Sequence, residues 1–175
     1  MRRVWGVVLL SVALCGCVMA QVPTKGNVFF GYSYDRMPVV TNDAINTNGW
    51  DASLEGKIFP YVGLVADFDG HYGSGVFSGT GADVSEHNFL FGPRVSVQVQ
   101  RFRPFGEFLV GGGHISRNNG ISDSDTSFVN ALGGGLDYKV AGPVSIRGQL
   151  DWITTRFYDQ TQNGVRFTTG VAIHF

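Results

Sequence analysis

Polar and apolar residues alternate one by one through most of this chain, and beyond residue 20 no stretch shows a helical period. Eight stretches carry the alternation, at residues 27–36, 50–59, 61–71, 86–99, 104–114, 128–140, 144–154 and 164–175. In 144–154, Val144, Ile146, Leu150 and Trp152 alternate with Ser145, Arg147, Gln149 and Asp151. In 50–59, Trp50, Ala52, Leu54 and Ile58 alternate with Asp51, Ser53, Glu55 and Lys57. Side chains on a strand point to opposite faces in turn, so each stretch reads as a strand with one apolar and one polar face. The glycine runs 111–113 and 133–135 leave the facing of two stretches open.

The connections alternate in length. Short ones fall at 59–60, 101–104 and 141–143; long polar ones fall at 37–49, 72–85, 115–127 and 155–163. Gly73-Ser74-Gly75 and Gly79-Thr80-Gly81 read as parts of a flexible loop. Eight strands joined in this way predict an all-β fold, an eight-stranded antiparallel up-and-down transmembrane β-barrel. Tilted strands of nine to eleven residues span the apolar layer, and closure removes the unpaired edges that lipid does not tolerate. A soluble lipocalin-like exported binder would show the same alternation. It would be recovered with soluble protein. Aromatic residues near strand ends favour the membrane, as two interfacial girdles: Tyr32, Tyr34, Trp50, Phe59, Tyr61, Phe68, Tyr72, Phe105, Tyr138, Trp152 and Phe167.

Composition narrows the choice. Only 15% of the 175 residues are charged, 25 are glycine and 13% are aromatic. So aromatic a chain does not stay disordered. Past residue 20 it has no apolar run long enough for a spanning helix. With 13 basic against 14 acidic side chains it is not a basic nucleic-acid binder. Arg2 and Arg3, the apolar run 4–14 and Val18-Met19-Ala20 predict a signal peptide over 1–20, cleaved before Gln21. Leu14-Cys15-Gly16-Cys17 offers a rival, lipidation at Cys17. Cleavage before Gln21 removes both cysteines and takes the net charge from −1 to −3, leaving a barrel domain over 21–175 with no disulfide.

The last stretch ends Phe167-Thr168-Thr169-Gly170-Val171-Ala172-Ile173-His174-Phe175. It resembles the carboxyl-terminal signal of bacterial outer-membrane barrels. That resemblance makes Phe167, Val171, Ile173 and Phe175 the residues read by the barrel assembly machinery. Through 27–34, 105–113, 132–138 and 144–152 the chain is similar to the OmpA-like, eight-stranded superfamily of outer-membrane barrels. The resemblance implies a non-enzymatic protein of the outer membrane serving envelope structure or surface interaction, at most a narrow pore. Its partners would be outer-membrane lipid and lipopolysaccharide. It would be a monomer with no cofactor and no nucleic acid. Some members carry a peptidoglycan-binding domain after the barrel; the sequence ends at its last strand, and that anchoring is not carried over.

The polar parity carries Asp35, Asp51, Glu55, Lys57, Asp67, Asp69, Arg94, Glu107, Arg147, Asp151 and Arg166, with Asp137 and His174. Eight strands enclose room for side chains or one small ligand, and charges in so narrow a space must pair. Glu55, Lys57, Asp67, Arg94, Glu107, Arg147, Asp151 and Arg166 are therefore the expected interior network. Glu55, Lys57, Arg94, Glu107 and Arg147 are its expected centre. The network either plugs the barrel or, by exchanging partners, gates a narrow pore. His114-Ile115-Ser116 loosely resembles the His-x-Ser-Asn segment of lipid A deacylases, which would make His114 a base and Ser116 a nucleophile in a lipid-modifying hydrolase. Arg117 separates Ser116 from Asn118 and Asn119, and no carboxylate partner is identifiable. His71, His87, His114 and His174 show no metal-ligand spacing.

Overall fold

The computed structural model describes residues 25–38, 44–77, 80–118, 122–155 and 162–175. The expected signal peptide, its cleavage before Gln21 and the Cys17 alternative lie outside the described residues. Eight strands follow in order: β1 (Gly26–Pro38), β2 (Ala44–Lys57), β3 (Val62–Phe77), β4 (Thr80–Ser96), β5 (Phe102–Asn118), β6 (Ser122–Ala141), β7 (Val144–Thr155) and β8 (Gln162–His174). Each pairs antiparallel with the next, and β8 returns to β1 from Asn27↔His174 to Arg36↔Val165, closing the barrel.

The strands are longer than the alternation alone indicates. β3 and β4 stay paired out to Phe77↔Thr80, and β5 and β6 out to Asn118↔Ser122. Segments 72–85 and 115–127, expected as long polar loops, are therefore mostly ladder. Gly73-Ser74-Gly75, expected in a flexible loop, lies in β3, and Thr80-Gly81 opens β4. Alternation reports what a strand faces. It fades in these segments, yet the backbone groups there still need partners and find them across the hairpin. At the opposite end the connections are tight. Gly142 takes φ +50° in the turn between β6 and β7, a left-handed position that glycine occupies without strain, and Pro143 follows it.

The outer face is apolar around the whole circumference. Phe30, Leu54, Phe68, Phe89, Phe108, Leu132, Leu150 and Val171, one from each strand, are all exposed. Water tolerates contiguous apolar patches of only a few hundred Å² on a monomer, so a band of this kind is a lipid-facing surface. The inner face is mixed. Val65, Leu90, Leu109, Val129, Ala131 and Ile153 form a buried apolar cluster on the β3–β7 side of the lumen. The buried charged residues fill the rest.

Candidate functional site

The charged lumen has two tiers. The first lies toward the short turns. Arg94 on β4 directs Nε and Nη2 at Glu107 Oε2 on β5, both at 2.5 Å, across the in-register pair Arg94↔Glu107. Its Nη1 lies 3.4 Å from Glu55 Oε2 on β2. Lys57 Nζ pairs with Glu55 Oε1 at 2.8 Å. Arg147 on β7 grips Asp137 on β6 with two parallel bonds, Nε to Oδ1 at 2.6 Å and Nη2 to Oδ2 at 2.9 Å. Asn27 ties the groups together: its amide nitrogen donates to Glu55 Oε2 at 2.6 Å, and its oxygen accepts from Arg147 Nη2 at 3.0 Å.

Aromatic rings complete this tier. Phe105 lies beneath both guanidiniums, 4.4 Å from Arg94 and 4.8 Å from Arg147, and Phe29 lies 4.9 Å from Arg147. The sequence pattern puts Phe105 in an interfacial girdle; the structure corrects this, since Phe105 shares the inner parity of Glu107 and is buried. A cation over a ring face in a dry space is stabilised by the ring quadrupole. Space for the ring comes from Gly135, where a Cβ would sit 2.6 Å from the Phe105 ring tip. Arg147→Lys keeps the charge but loses the fork and the stacking. It is expected to lower the unfolding free energy by roughly 1.5–3 kcal/mol, read from a urea titration of the refolded barrel.

The second tier is dominated by carboxylates. Arg166 on β8 reaches Asp69 Oδ2 at 2.5 Å, Asp151 Oδ2 at 3.0 Å, Asp67 Oδ1 at 3.3 Å and Asp51 Oδ2 at 4.0 Å. Asp51 and Asp69 stand directly opposite across the β2–β3 pair, a repulsive placement unless a cation bridges them. Asp69 also meets His71 Nδ1 at 3.0 Å and accepts from Asn88 at 2.9 Å; Asn88 donates in turn to Glu86 at 3.0 Å. Gln149 joins the tiers, its amide nitrogen donating to Glu107 at 2.7 Å and Asp151 at 2.8 Å.

All eight residues of the expected network lie on the inner face, and every one except Lys57 is fully buried. Glu55, Lys57, Arg94 and Glu107 form one contact group, with Arg147 joined to it through Asn27. Asp67 and Asp151 meet at Arg166 instead. Sequence reasoning missed the connecting roles of Asn27, Gln149, Phe29 and Phe105. All four sit on the same parity as the charges, and that parity was the available signal. Phe167, Val171 and Ile173 face outward on β8, as the exposed Phe175 does beyond it.

Chemically, the lumen is an ionic lattice in which Arg94, Arg147 and Arg166 are 0% exposed. His114 and Ser116 lie elsewhere. His114 is exposed on the outer face, and its Nδ1 bonds Thr126 Oγ1 at 2.9 Å. No carboxylate pairs with His114 among the described residues. Nor does any group of three or more His, Cys, Asp or Glu there have the placement to hold a metal.

A closed eight-stranded antiparallel barrel, apolar outside and filled with paired charges, has the fold of the eight-stranded outer-membrane barrels. Among solved structures, the chain is similar to Neisserial surface protein A, with a TM-score of 0.72 and 12% identity over 86% of this chain and 97% of that one. It is also similar to Ail, the attachment invasion locus protein of Yersinia pestis, with a TM-score of 0.65 and 16% identity over 87% and 99%. The N-terminal β-barrel domain of Pseudomonas aeruginosa OprF gives a TM-score of 0.51 and 12% identity over 86% and 99%. No protein-family model matches the sequence, and no curated protein matches it.

Proposed function

We propose that this chain is a non-enzymatic protein of the bacterial outer membrane, a sealed barrel that serves envelope structure or surface interaction through its long hairpins. The observation that carries the reading is the combination of an apolar belt on every strand with three arginines wholly buried in the lumen. Such a belt needs lipid, and such a lumen passes no stream of solute. The similarity to a surface protein and an attachment invasion protein supports a surface role. The short-turn end, where both chain ends of the barrel lie, faces the periplasm in this reading. The eighth strand, with Phe167, Val171, Ile173 and Phe175 on its outer face, presents the assembly signal. The protein acts as a monomer among outer-membrane lipid and lipopolysaccharide.

Two measurements test this. The protein is expected in the outer-membrane fraction, migrating faster on a gel before boiling than after it. Recovery with soluble protein and no heat-dependent shift would leave the lipocalin-like alternative. In planar bilayers the folded barrel is expected to show no steady conductance, and sustained porin-like opening overturns the sealed lumen. A deletion strain with an altered lipid A profile would restore the hydrolase alternative built on Ser116.

A further inference from the structure

The short-turn mouth of the barrel holds a cavity of about 650 Å³ that the sealed lattice does not use. Lys25, Lys57, Arg103 and His174 stand on its wall, and Ile58 and Phe175 form an apolar part of its lining. A neighbouring recess of about 290 Å³ shares Arg103 and the neutral His174 and adds Arg101, Lys139 and Asp137. Lys25, Lys57, Arg101, Arg103 and Lys139 thus outnumber the acidic side chains lining the mouth.

The carboxylates nearby are already engaged. Glu55 holds Lys57, faces Arg94 and accepts from Asn27; Asp137, opposite Arg103 in the β5–β6 register, is gripped by Arg147 and lies 3.5 Å from His174 Nε2. Arg103 has no carboxylate partner among the described residues. Its Nε donates to Ser96 Oγ at 3.2 Å and its Nη1 to His174 Nδ1 at 2.8 Å, both uncharged acceptors. Lys57 Nζ donates to the same Ser96 hydroxyl at 2.5 Å. Two cations therefore converge on one hydroxyl, and the Arg103 fork keeps N–H groups to spare. A tetrahedral anion with several acceptor oxygens satisfies such a cluster better than one hydroxyl does.

We propose that this mouth binds a phosphate group, that of an anionic phospholipid headgroup in the leaflet around the short turns. The lipid source follows from the apolar side of the lining. Ile58 and Phe175 are both exposed and continue the lipid-facing sides of β2 and β8, so a headgroup held by Arg103 has a surface for its acyl chains. Basic pockets at a membrane boundary recognise anionic headgroups by this division of labour. The inference rests on the outer-membrane reading above.

The test uses the folded full barrel in neutral detergent, titrated separately with dioleoylphosphatidylglycerol, dioleoylphosphatidylcholine and sodium phosphate, with binding read by native mass spectrometry. The anionic lipid is expected to bind one to one, about tenfold more tightly than the zwitterionic one. Arg103→Gln and, independently, Lys25→Gln are expected to reduce that preference several-fold, and Arg36→Gln at the far end is expected to leave it unchanged. Equal binding of the two lipids, or an unchanged preference in both mouth variants, overturns the proposal. Displacement of the lipid by an equal concentration of sodium phosphate overturns the lipid source and assigns the site to free phosphate. A heat-modifiability gel of each sample separates the two failures. A closed barrel without lipid preference overturns this inference alone, whereas an unsubstituted protein that never gives the folded form overturns the membrane reading.

Discussion

Arg166→Met is expected to cost the barrel about 3–5 kcal/mol, enough to prevent closure or to leave a form that unfolds at low denaturant. The reason is the asymmetry of the second tier. One guanidinium faces Asp51, Asp67, Asp69 and Asp151, all within 4.0 Å. Removing it leaves four buried carboxylates facing one another, and lost attraction turns into uncompensated repulsion. Refolding yield and the urea midpoint, both read on gels by the heat-dependent shift, check it. The converse change sharpens the test. Asp67 Oδ2 and Asp51 Oδ1 have no hydrogen-bond partner. Asp67→Asn in the otherwise unchanged chain is therefore expected to be neutral or stabilising. A loss of stability in Asp67→Asn as large as that in Arg166→Met would defeat the account of one overcommitted arginine.

Leu150→Arg is expected to destabilise the inserted barrel by about 2–4 kcal/mol, with Leu150→Phe close to neutral. Leu150 faces outward in β7, opposite Phe167 on β8 and Gly134 on β6, and is 56% exposed. In a water-soluble barrel the same arginine would be an ordinary surface substitution within about 0.5 kcal/mol. The substitution therefore reports the solvent of the outer face. Denaturant titration of the protein refolded into vesicles gives the measurement, and a Leu150→Arg barrel as stable as the parent would mean that this face does not meet lipid.

Much of this architecture was legible because a half-and-half environment writes itself into alternation. In β7 the pattern gives the facing, since Ser145, Arg147, Gln149 and Asp151 share the inner side, while the register comes from the structure. Strand ends were less legible. In β3 and β4 the alternation breaks down at Gly73-Ser74-Gly75 and Thr80-Gly81-Ala82, while the ladder continues to Phe77↔Thr80. Phe105 was misplaced for a related reason. An aromatic near a strand end looks interfacial from sequence, and only its parity with Glu107 marks it as an arginine platform. The division of charges into tiers was also hidden. Arg166 gathers aspartates from β2, β3 and β7, and alternation carries no record of which strands meet across a lumen.

The seam between β1 and β8 sets the order in which such a chain becomes a cylinder. Neighbouring strands elsewhere are joined by short stretches of chain, so their ladders form from local encounters. The seam pairs residue 27 with residue 174, almost the full length of the described chain. Bringing such distant segments together carries the largest closure entropy and yields no contacts until the other seven pairings are in place. Before that moment the sheet has two bare edges, each able to accept a foreign strand. Until β8 meets β1, both edge strands stay bare, and closing that seam carries the largest chain-entropy cost of the eight pairings.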